Sequence, residues 1–386
     1  MSYPIRPQHL IVQTAFLGDL LLGIPLFKTL RHMLPRDKFV LLCRKGLGEF
    51  FLKSGLVDEV VEVDKKNKLS WKEAAQNLRA REFGLVISPH LSFRTALFVW
   101  GLKAKRKFGY ARFFNFFIFN ERVSRPMALP EALRQLALLV PLNQIWKSRL
   151  AEFEDIQAAR GGQGKNGDLV AVPEWADMSI ARLIQLKKNF RSTGSLQAAQ
   201  LESTRAIVAR LGISTKDKIA FLAPGSVWAT KMWTTDGYAG VARDLLNKGY
   251  RVLVMGTPEE REICESVVSQ APGAASVAGE TTLYGSAELL ALADILICND
   301  SGAMHMAAAA GVPTVSIFGP TILEFGYRPW QTQAKVAQIA LSCRPCGKHG
   351  TQVCPIGTHD CMKQVSSEMV SEMVLQQITC SVGTDS

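Results

Sequence analysis

Short apolar runs alternate with amphipathic stretches along most of the chain. In the first third, HLIVQT (9–14) and KFVLLC (38–43) have the length of buried strands, and helical patterns separate such runs. After Thr215 the alternation restarts, with KIAFLAP (218–224) and RVLVMGT (251–257) as its first strands. Strands and helices in alternation predict parallel sheets joined by crossover helices. The sequence therefore predicts an α/β protein with two doubly wound halves and a cleft between them.

The same pattern predicts the limits of elements and domains. One helix is predicted over DLLLGIPLFKTLRHM (19–33), and VPTVSIFGP (312–320) is the last clear strand. Residues 151 to about 200 carry glycine clusters and little periodicity, which indicates an inter-domain region or an insertion. The expected division is a first domain at 1–165, a linker or insertion at 166–215, a second domain at 216–365, and a C-terminal helix and tail at 366–386.

Length and composition are those of an ordinary globular protein with two domains. The chain has 386 residues, of which 47% are hydrophobic and 20% are charged. No apolar run approaches the roughly 18 residues that a membrane-spanning helix needs, and MSYPIRPQHLIVQ lacks the form of a secretory signal. We therefore expect a cytoplasmic protein, in which the eight cysteines are thiols or metal ligands rather than disulfides.

The net charge is strongly positive, at +11 with a pI near 9.3. Such a charge indicates an acidic partner. The three candidates are nucleic acid, a phosphorylated small molecule and an anionic membrane surface. A charge that serves only solubility would have the same sign. No zinc-finger, recognition-helix or ribonucleoprotein pattern is present in the sequence, so nucleic acid is not an expected partner.

The stretch CNDSGAMHMAAAAGVPTVSIFGPT (298–321) is the sharpest signal for a binding site. Asp300, Ser301 and Gly302 stand between a predicted strand and a predicted helix, and His305 follows about one turn later. Asp, Ser and Gly begin helices well, and the unpaired N–H groups of a helix start also bind anions. The stretch is therefore either a well-capped core helix or the floor of a phosphate pocket. His305 is either a buried histidine or, as we favour, a ligand-binding residue.

Two further loops follow strands of the second half, APGSVWATKMW (223–233) and MGTPEE (255–260). Their candidate side chains are Gly225, Ser226, Lys231, Glu259 and Glu260. In the first loop, small residues let a phosphate approach the backbone and the lysine offers a charge, but an ordinary turn has the same composition. In the second, a glutamate either accepts hydrogen bonds from a base or sugar or is solvated at a helix start. The sequence has neither a Walker loop nor a G-x-G-x-x-G after its first strand.

Taken together, these motifs resemble the family-9 glycosyltransferases, the bacterial heptosyltransferases of the lipopolysaccharide inner core. The resemblance rests on the order P-G-S…K-x-W, then G-T-x-E-E, then N-D-S-G-A-M-H. It includes the L-G-D motif and early proline of IVQTAFLGDLLLGIPLFKTLR (11–31), and SGLVDEVVEV and SFRTALFVW. CRPCGKHGTQVCPIGTHDCM (343–362) is similar to the cysteine-rich tail of the heptosyltransferase II type. Most of the chain apart from about 151–215 is covered.

The resemblance implies a GT-B fold, with two Rossmann-like domains that bind acceptor in the N-terminal one and donor nucleotide in the C-terminal one. It implies inverting transfer of heptose from ADP-heptose to a lipid A-core acceptor, at the cytoplasmic face of the inner membrane. By resemblance, Asp300 holds the donor ribose region, and the N–H groups of Ser301 and Gly302 face the diphosphate near His305. Lys231 and Ser226 take the other side of the diphosphate.

Asp19 matches the family's G-D position and is therefore our candidate for the catalytic base. Glycosyl transfer needs a base for the acceptor hydroxyl and a stabilising charge for the departing diphosphate. A helix N-terminus and a lysine supply that charge without a metal ion, so no metal cofactor is expected. The alternative role of Asp19 is to cap the helix that it begins.

The expected acceptor is acidic and lipid-linked, so basic residues of the first half are its candidate ligands. Arg94 follows a predicted strand, and GLKAKRKFGYARFFNFF (101–117) combines several cations with aromatic residues and has no acid. The four residues that we assign to the acceptor are Arg94, Lys105, Arg106 and Arg112. Such a stretch suits an anionic, partly apolar membrane surface, and a solvated basic face is the competing interpretation.

Two questions stay open at the level of sequence. The tail cysteines Cys343, Cys346, Cys354 and Cys361 begin with zinc-type spacing and continue irregularly, so a structural zinc is the less favoured alternative to plain thiols. Two other functions also remain, namely heptosyl transfer to a protein hydroxyl and a catalytically idle nucleotide-sugar-binding protein on the same fold.

Overall fold

The computed structural model describes residues 6–159, 169–193, 201 and 203–382, and the chain folds as two compact units, Met1–Ala158 and Ala159–Ser386. Each unit is built on one six-stranded sheet in which every strand pair is parallel. The predicted α/β class with two doubly wound halves is therefore confirmed. In the described part of the chain, no helix has the length and apolar character required to cross a membrane.

The first unit contains six strands and seven helices among its described residues. Its strands are β1 (Gln8–Gln13), β2 (Lys38–Arg44), β3 (Glu59–Val63), β4 (Glu82–Ser88), β5 (Lys103–Tyr110) and β6 (Glu121–Val123). Its helices are α1 (Leu17–Leu21), α2 (Ile24–Met33), α3 (Gly48–Lys53), α4 (Lys68–Arg79), α5 (Phe93–Trp100), α6 (Glu131–Leu136) and α7 (Ile145–Ala159). The strand order is β3-β2-β1-β4-β5-β6, which is the order of dinucleotide-binding folds.

The second unit repeats this arrangement. Its strands are β7 (Lys218–Ala223), β8 (Tyr250–Val254), β9 (Ala275–Ser276), β10 (Ile295–Asn299), β11 (Thr314–Phe318) and β12 (Ala334–Gln338). Its helices are α8 (Ala181–Thr193), α9 (Arg205–Arg210), α10 (Thr235–Asn247), α11 (Arg261–Gln270), α12 (Leu283–Ala291), α13 (Gly302–Ala310), α14 (Asp360–Lys363) and α15 (Ser367–Val382). The order β12-β11-β10-β7-β8-β9 is the same topology read from the opposite edge.

The central strands are buried along almost their whole length because helices cover both faces of each sheet. All five residues of β10 are buried, and so are five of the six residues of β1. Such continuously buried strands are typical of parallel sheets. In the second unit, Val370 and Val374 of α15 pack into the same core as Tyr238 of α10, so the predicted C-terminal helix belongs to this unit. Residues 383–386 of the predicted tail lie outside the described residues.

The single helix predicted over 19–33 is wrong, because the structure has two helices there. α1 ends at Leu21, and α2 begins at Ile24 with Gly23 as its N-cap residue and Pro25 in its first turn. Proline has no N–H group, so at this position a continuous helix would lose a backbone hydrogen bond and clash with the preceding turn. The break turns α1 into a short segment of its own, which carries Asp19.

Four strands escaped the sequence pattern, namely β5, β6, β9 and β12. β5 lies within the basic stretch 101–117, and β12 follows the strand that we had taken as the last clear one. Only Phe108–Tyr110 of β5 pair with β6, so the amino-terminal half of β5 has a neighbour on one side only. Lysine and arginine are common on such strand edges because they oppose pairing with another chain. The cations that protect this edge hid the apolar pattern of the strand.

The segment predicted as a linker or insertion at 166–215 is partly helical in its described residues. α8 buries Leu183, Leu186 and Phe190 and packs against α12 and α13. The backbone N–H of Ile180 also donates to Ala309 O, at 2.8 Å. The described part of this segment is therefore packed on the second unit. Residues 160–168, 194–200 and 202 of the predicted first domain and linker lie outside the described residues.

Each sheet has one point at which the strand order reverses, and the candidate loops lie at these two points. In the first unit the reversal falls between β1 and β4, whose carboxyl ends lead into α1 and α5. In the second unit it falls between β7 and β10, which lead into the Lys231 loop and α13. Ligands of doubly wound sheets bind outside the carboxyl ends of the strands at such a reversal.

Candidate functional site

Asp300 is the centre of the site in the second unit. It follows β10, and its Oδ2 atom accepts hydrogen bonds from Lys231 Nζ at 2.5 Å and from Thr321 Oγ1 at 2.7 Å. The side chains of Lys231 and Asp300 are only 12% and 7% exposed. Three loops, after β7, β10 and β11, thus meet through one carboxylate oxygen. The predicted partners Lys231 and Asp300 are brought together, and Thr321 is a member that the sequence did not suggest.

Asn299, the last residue of β10, fixes the β7 loop beside this pair. Its side chain is fully buried, and its Nδ2 atom donates to Pro224 O at 2.8 Å. Its Oδ1 atom accepts from the backbone N–H of Trp233 and from Tyr238 Oη, both at 3.0 Å. A buried amide with all these partners satisfied holds its neighbours in one arrangement. The loop that carries Lys231 is therefore tied to the end of β10 at both of its ends.

The N-terminus of α13 is a helix start without a side-chain cap. Ser301 is the N-cap residue in an extended conformation, and its side chain makes no capping hydrogen bond. The backbone N–H groups that begin the helix, at Gly302 and the next residues, therefore keep their capacity to bind an acceptor. One interpretation of this stretch was a well-capped core helix, and the helix start lacks the side-chain cap that this interpretation requires. A phosphate fits the positive end of such a helix.

His305 lies on α13, buried below the helix start. Its side chain is 3% exposed, and Nδ1 has no hydrogen-bond partner. Burial lowers the pKa of His305 to about 4, while the charge of Asp300 opposes the shift and that of Lys231 adds to it. The imidazole is therefore neutral at pH 7. It offers a dipole rather than a charge to whatever binds above it, and both interpretations of this residue remain compatible with its position.

Gly225 and Glu260 lie in contact across the β7 and β8 loops. A methyl group added at Gly225 would meet Glu260 Cδ at 2.1 Å, so only glycine fits there without moving the glutamate. Glu260 Oε2 accepts from the backbone N–H of Thr257 at 2.8 Å and so completes a capping box with that residue. An open pocket of about 690 Å³ lies here, lined among others by Ser226, Glu259 and Glu260. Its volume is within the range of small-molecule pockets.

The cysteine-rich segment 343–362 braces the Lys231 loop, a role that the sequence did not indicate. Thr230 exchanges hydrogen bonds with Thr351, through its backbone N–H at 3.1 Å and through its Oγ1 at 2.6 Å. His359 Nε2 lies 2.8 Å from Thr230 O, and Gly350 packs close to the aliphatic part of Lys231. The segment thus supports the residue next to the predicted phosphate-binding lysine.

The thiols of that segment do not form a metal site in the described chain. Cys343, Cys346, Cys354 and Cys361 are all free. Among the residues that the structure describes, no group of three or more His, Cys, Asp or Glu side chains is arranged to hold a metal ion. Cys354 differs from the other thiols, because backbone N–H groups, that of His359 first, lower its pKa.

In the first unit, Asp19 stands at the carboxyl end of β1, in the first turn of α1. The N-cap residue of α1 is Phe16, so Asp19 does not occupy the capping position that we had weighed as its alternative role. Gln135 Nε2 of α6 donates to the backbone oxygen of Asp19 at 2.8 Å and so fixes the turn. Asp19 is half-buried and close enough to Glu131 for its charge to raise the pKa of that buried carboxyl, which burial raises first.

Lys65 lies close enough to Asp19 for their charges to interact, and Arg44 and Arg94 lie close to Lys65; of these three cations the sequence had suggested only Arg94. Burial lowers the pKa of Lys65, Arg44 and Arg94 lower it further, and the carboxylate of Asp19 opposes the shift. Arg94 Nη1 donates to Lys65 O at 3.3 Å. Lys65 comes from the loop after β3, and Arg44 is the last residue of β2; neither lies in a motif. Their only signal was their place directly after a predicted strand.

His90 is a further polar residue at this edge that sequence reasoning missed. Its Nδ1 atom lies 3.0 Å from Thr14 Oγ1 and 2.8 Å from Thr95 Oγ1, so it joins the ends of β1 and β4. Burial and the nearby charge of Lys65 lower the pKa of His90 to about 4. His90 is therefore a neutral hydrogen-bonding group at the edge of the sheet that carries Asp19.

The remaining acceptor candidates are not all brought to this edge. Arg112 follows β5 at its carboxyl end and is exposed. Lys105 and Arg106 lie in the amino-terminal half of β5, five and four residues before its end at Tyr110, or roughly 15 Å away at 3.3 Å per residue. Arg106 is already paired with Glu121, at 2.8 Å. Of the four residues, Arg94 and Arg112 stand at the edge that carries Asp19.

Comparisons with known proteins agree with this architecture. The model of glycosyltransferase family 9 (heptosyltransferase) matches residues 171–356. Lipooligosaccharide heptosyltransferase 2 of Campylobacter jejuni is 33% identical over 164 residues, which are 41% of this chain and 50% of that protein. The chain thus spans about half the length of the curated relatives that it matches.

Two solved structures share the fold over nearly their whole length. ADP-heptose lps heptosyltransferase II of E. coli has a TM-score of 0.70 at 18% identity, and the match covers 97% of this chain and 99% of that one. An E. coli heptosyltransferase solved with ADP-2-deoxy-2-fluoro heptose has a TM-score of 0.67 at 17% identity, with 96% and 99% covered. At such identities the likeness is one of fold.

Two Rossmann-like units, each with polar residues at the reversal of its sheet, give the chain the GT-B fold that it shares with these solved structures. Within that fold, residues 171–356 are similar to glycosyltransferase family 9, and the curated relatives that match the chain over about half of their own length are heptosyltransferases.

Proposed function

We propose that this protein transfers heptose from ADP-heptose to the inner core of lipopolysaccharide, with inversion at the anomeric carbon. The observation that carries the proposal is the site of the second unit, where Lys231, Asp300 and an uncapped helix start meet at the sheet reversal. The match of residues 171–356 to the heptosyltransferase family supports heptose as the sugar, and the similar curated proteins are lipooligosaccharide and lipopolysaccharide heptosyltransferases.

In this proposal the donor diphosphate binds at the N-terminus of α13. The N–H groups at Ser301 and Gly302 and the ammonium group of Lys231 stabilise the charge that grows on the leaving phosphate. Gly225 and Ser226 allow the other side of the diphosphate to approach the backbone. The pocket beside Glu259 and Glu260 accommodates the nucleoside, whose hydroxyl groups donate to a carboxylate.

Asp19 serves as the base in the first unit. It takes the proton of the acceptor hydroxyl as the oxygen of that group forms a bond to the anomeric carbon of heptose. The bond from that carbon to the phosphate oxygen breaks at the same time, and ADP departs with the electron pair. Lys65 interacts with the charge of Asp19, and Arg94 and Arg112 follow β4 and β5 at the same edge of the sheet, so this edge carries a positive charge. That charge suits an acceptor with carboxylate or phosphate groups.

The proposal includes where the enzyme works and what it needs. A lipid A-core acceptor is anchored in a bilayer, so the enzyme makes peripheral contact with the cytoplasmic face of the inner membrane. Lys231 and the dipole of α13 supply the charge that a divalent ion would otherwise provide, so transfer is independent of a metal cofactor.

The test is a transfer assay with defined substrates. The purified protein is incubated with ADP-heptose and with lipid A-core acceptor that lacks the heptose, and mass spectrometry identifies the product. We expect one heptose to be added, and nuclear magnetic resonance of the product to report inversion. Transfer to a protein hydroxyl instead, or binding of ADP-heptose without turnover on either acceptor, would overturn the proposal in favour of one of its two alternatives.

A further inference from the structure

An exposed apolar surface lies on the first unit, and we call it the aromatic surface. It consists of Phe93, Leu97 and Trp100 from α5 and Phe113, Phe116 and Phe117 from the segment after β5. Phe113 is 90% exposed, and the others are between 47% and 65% exposed. The three residues of α5 are spaced by four and three positions and therefore lie on one face of that helix.

Ring contacts join the two parts into one continuous surface. Phe93 contacts Phe114 at a centroid distance of 5.4 Å, and Phe114 contacts Phe113 at 5.5 Å. At the other end of α5, Trp100 contacts Phe117 at 6.0 Å, and Phe117 contacts Phe116 at 5.2 Å. Single exposed aromatic residues are ordinary, but a joined group of this size marks an interaction site.

The aromatic surface belongs to a stretch of the chain whose own charges have one sign. From residue 83 to residue 120 the chain has no aspartate or glutamate, and its cations are Arg94, Lys103, Lys105, Arg106, Lys107 and Arg112. Lys107 Nζ donates to Trp100 O at 3.2 Å, and burial lowers the pKa of Lys107, so this cation lies directly beside the rings. Arg122 Nη2 donates to Arg112 O at 3.1 Å and adds a charge beside the segment after β5.

Aromatic side chains framed by cations match one kind of partner best. Tryptophan and phenylalanine enter the boundary between head groups and acyl chains, while lysine and arginine contact anionic head groups. A second copy of this chain would bring the same cations against each other, which repels. The occupant that the charge complementarity favours is therefore an anionic lipid bilayer.

We propose that the aromatic surface is the face by which this protein docks on an anionic lipid bilayer, with Phe113 and Phe116 inserted among the head groups. The surface adjoins the carboxyl edge of the first sheet, because α5 follows β4 and the segment with Phe113 follows β5. Docking thus holds the edge that carries Asp19 close to the bilayer. The link to a lipid-linked acceptor rests on the proposed function, whereas lipid binding itself does not.

Sedimentation with lipid vesicles tests the proposal. We expect the wild-type protein to bind vesicles of phosphatidylglycerol and phosphatidylethanolamine at least tenfold more tightly than vesicles of phosphatidylcholine alone. The preference should fall as salt is raised, since salt screens the cations. The double variant Phe113→Ser/Phe116→Ser should lose at least tenfold in affinity for the anionic vesicles. Both residues are exposed, so circular dichroism and thermal unfolding should stay as in the wild type.

The matched control replaces two exposed apolar residues of α7, in the variant Ile145→Ser/Ile156→Ser, and should bind vesicles as the wild type does. Equal vesicle binding by the wild type and the Phe113→Ser/Phe116→Ser variant would overturn the docking surface. A change from dimer to monomer in that variant, with vesicle binding unaltered, would overturn it in favour of a contact between copies of the chain.

A second arm separates the docking surface from the proposed function. Transfer of heptose to acceptor embedded in vesicles should fall in the Phe113→Ser/Phe116→Ser variant by about the factor lost in vesicle binding. Transfer to a deacylated, water-soluble core acceptor should be unchanged. If the wild type binds anionic vesicles but transfers heptose to neither acceptor, the proposed function fails and the docking surface stands.

Discussion

Lys231 pairs with Asp300 at a site that is largely closed to water. Because the pair is buried, removal of the lysine affects stability as well as the proposed binding. The cation keeps the neighbouring carboxylate satisfied in the free protein, and it carries the charge that a diphosphate would bind. Removal of one member of a buried pair leaves the other without compensation. Lys231 therefore has a structural role in addition to its proposed binding role, and a variant has to separate them.

We predict that Lys231→Met weakens ADP binding by roughly 10- to 150-fold, because a charge-assisted contact worth about 1.5–3 kcal/mol is lost. Thr321→Val removes only the second hydrogen bond to Asp300, so it should cost about 1 kcal/mol of stability and leave ADP affinity nearly unchanged. Lys248→Met, at an exposed position after α10, is the matched control. Titration calorimetry, at a temperature at which the three variants are folded, measures their affinities for ADP. Wild-type ADP affinity in Lys231→Met would remove this residue from the proposed donor site.

For Asp19 we predict that the Asn variant folds, binds ADP normally and loses about 10²-fold or more in turnover. Asparagine keeps the shape of the side chain but has no basicity at neutral pH, and general base catalysis is usually worth that factor. The acidic limb of the pH–rate profile should also disappear. Glu49→Gln, in an exposed pair with Lys53, controls for loss of a carboxylate and should leave turnover unchanged. Near-normal turnover with the acidic limb intact would assign the base to another group.

His305 predicts a dependence of stability on pH. Burial lowers its pKa in the folded protein to about 4, from about 6.5 in the unfolded chain. The unfolded chain thus takes up the proton first, so the stability is present above pH 6.5 and is lost as pH falls from 6.5 towards 4. The loss assigned to His305 is roughly 3 kcal/mol.

Urea unfolding at several pH values, compared between the wild type and His305→Gln, measures this contribution. The variant should show a shallower loss of stability between pH 6.5 and 4. His90 has its pKa lowered in the same direction, so only the difference between the two proteins belongs to His305. Parallel curves would mean that His305 is protonated in the folded protein as easily as in the unfolded chain.

At the scale of elements, the start of α11 and the end of β7 are fitted to each other through Gly225 and Glu260. The glutamate caps the turn before α11 and at the same time occupies the space where any side chain at position 225 would lie. A double-mutant cycle measures the interaction energy between such a glycine and the neighbouring side chain.

In that cycle, Gly225→Ala should displace Glu260, and Glu260→Ala should remove the cap. Each single variant should lower the free energy of unfolding by about 1 kcal/mol. The double variant should cost less than the two single variants together, because the methyl group no longer meets the carboxylate. Pairing Glu260→Ala with Lys248→Ala, a distant surface change, should be additive. Strict additivity of the Gly225 and Glu260 changes would show that their contact has no energetic consequence.

At the scale of the whole molecule, the source of the charge that stabilises the leaving group can be tested with a chelator. We predict that EDTA leaves the transfer rate unchanged, because Lys231 and the dipole of α13 provide this charge. A loss that Mg²⁺ or Mn²⁺ restores would contradict the prediction. A slow loss with unfolding, restored by zinc, would point instead to the tail cysteines Cys343, Cys346, Cys354 and Cys361, of which the first two have zinc-type spacing.

Sequence reasoning reached the fold class, and it picked out Lys231 and Asp300, which the structure brings together, because both rest on local signals. Continuous apolar runs separated by helical patterns indicate a buried parallel sheet, since helices cover both of its faces. Asp300, Ser301 and Gly302 stand directly after such a run, and topology puts the ends of neighbouring strands at one edge. Those signals failed at two places. The cations of β5 obscured the apolar pattern of that strand, and the helix predicted over 19–33 is divided in two before Pro25.

Contacts between distant segments were decided by the tertiary structure alone. Lys65 meets both Asp19 and Arg44 because β3, β1 and β2 end at one edge of the sheet, and nothing in the sequence around Lys65 indicates these contacts. The sequence by itself determined the alternation of elements and the chemistry of each loop, because these depend on neighbouring residues. The tertiary structure decided which loops share a site and which aromatic residues form one surface, because such contacts depend on strand order and register, which no short stretch of sequence specifies.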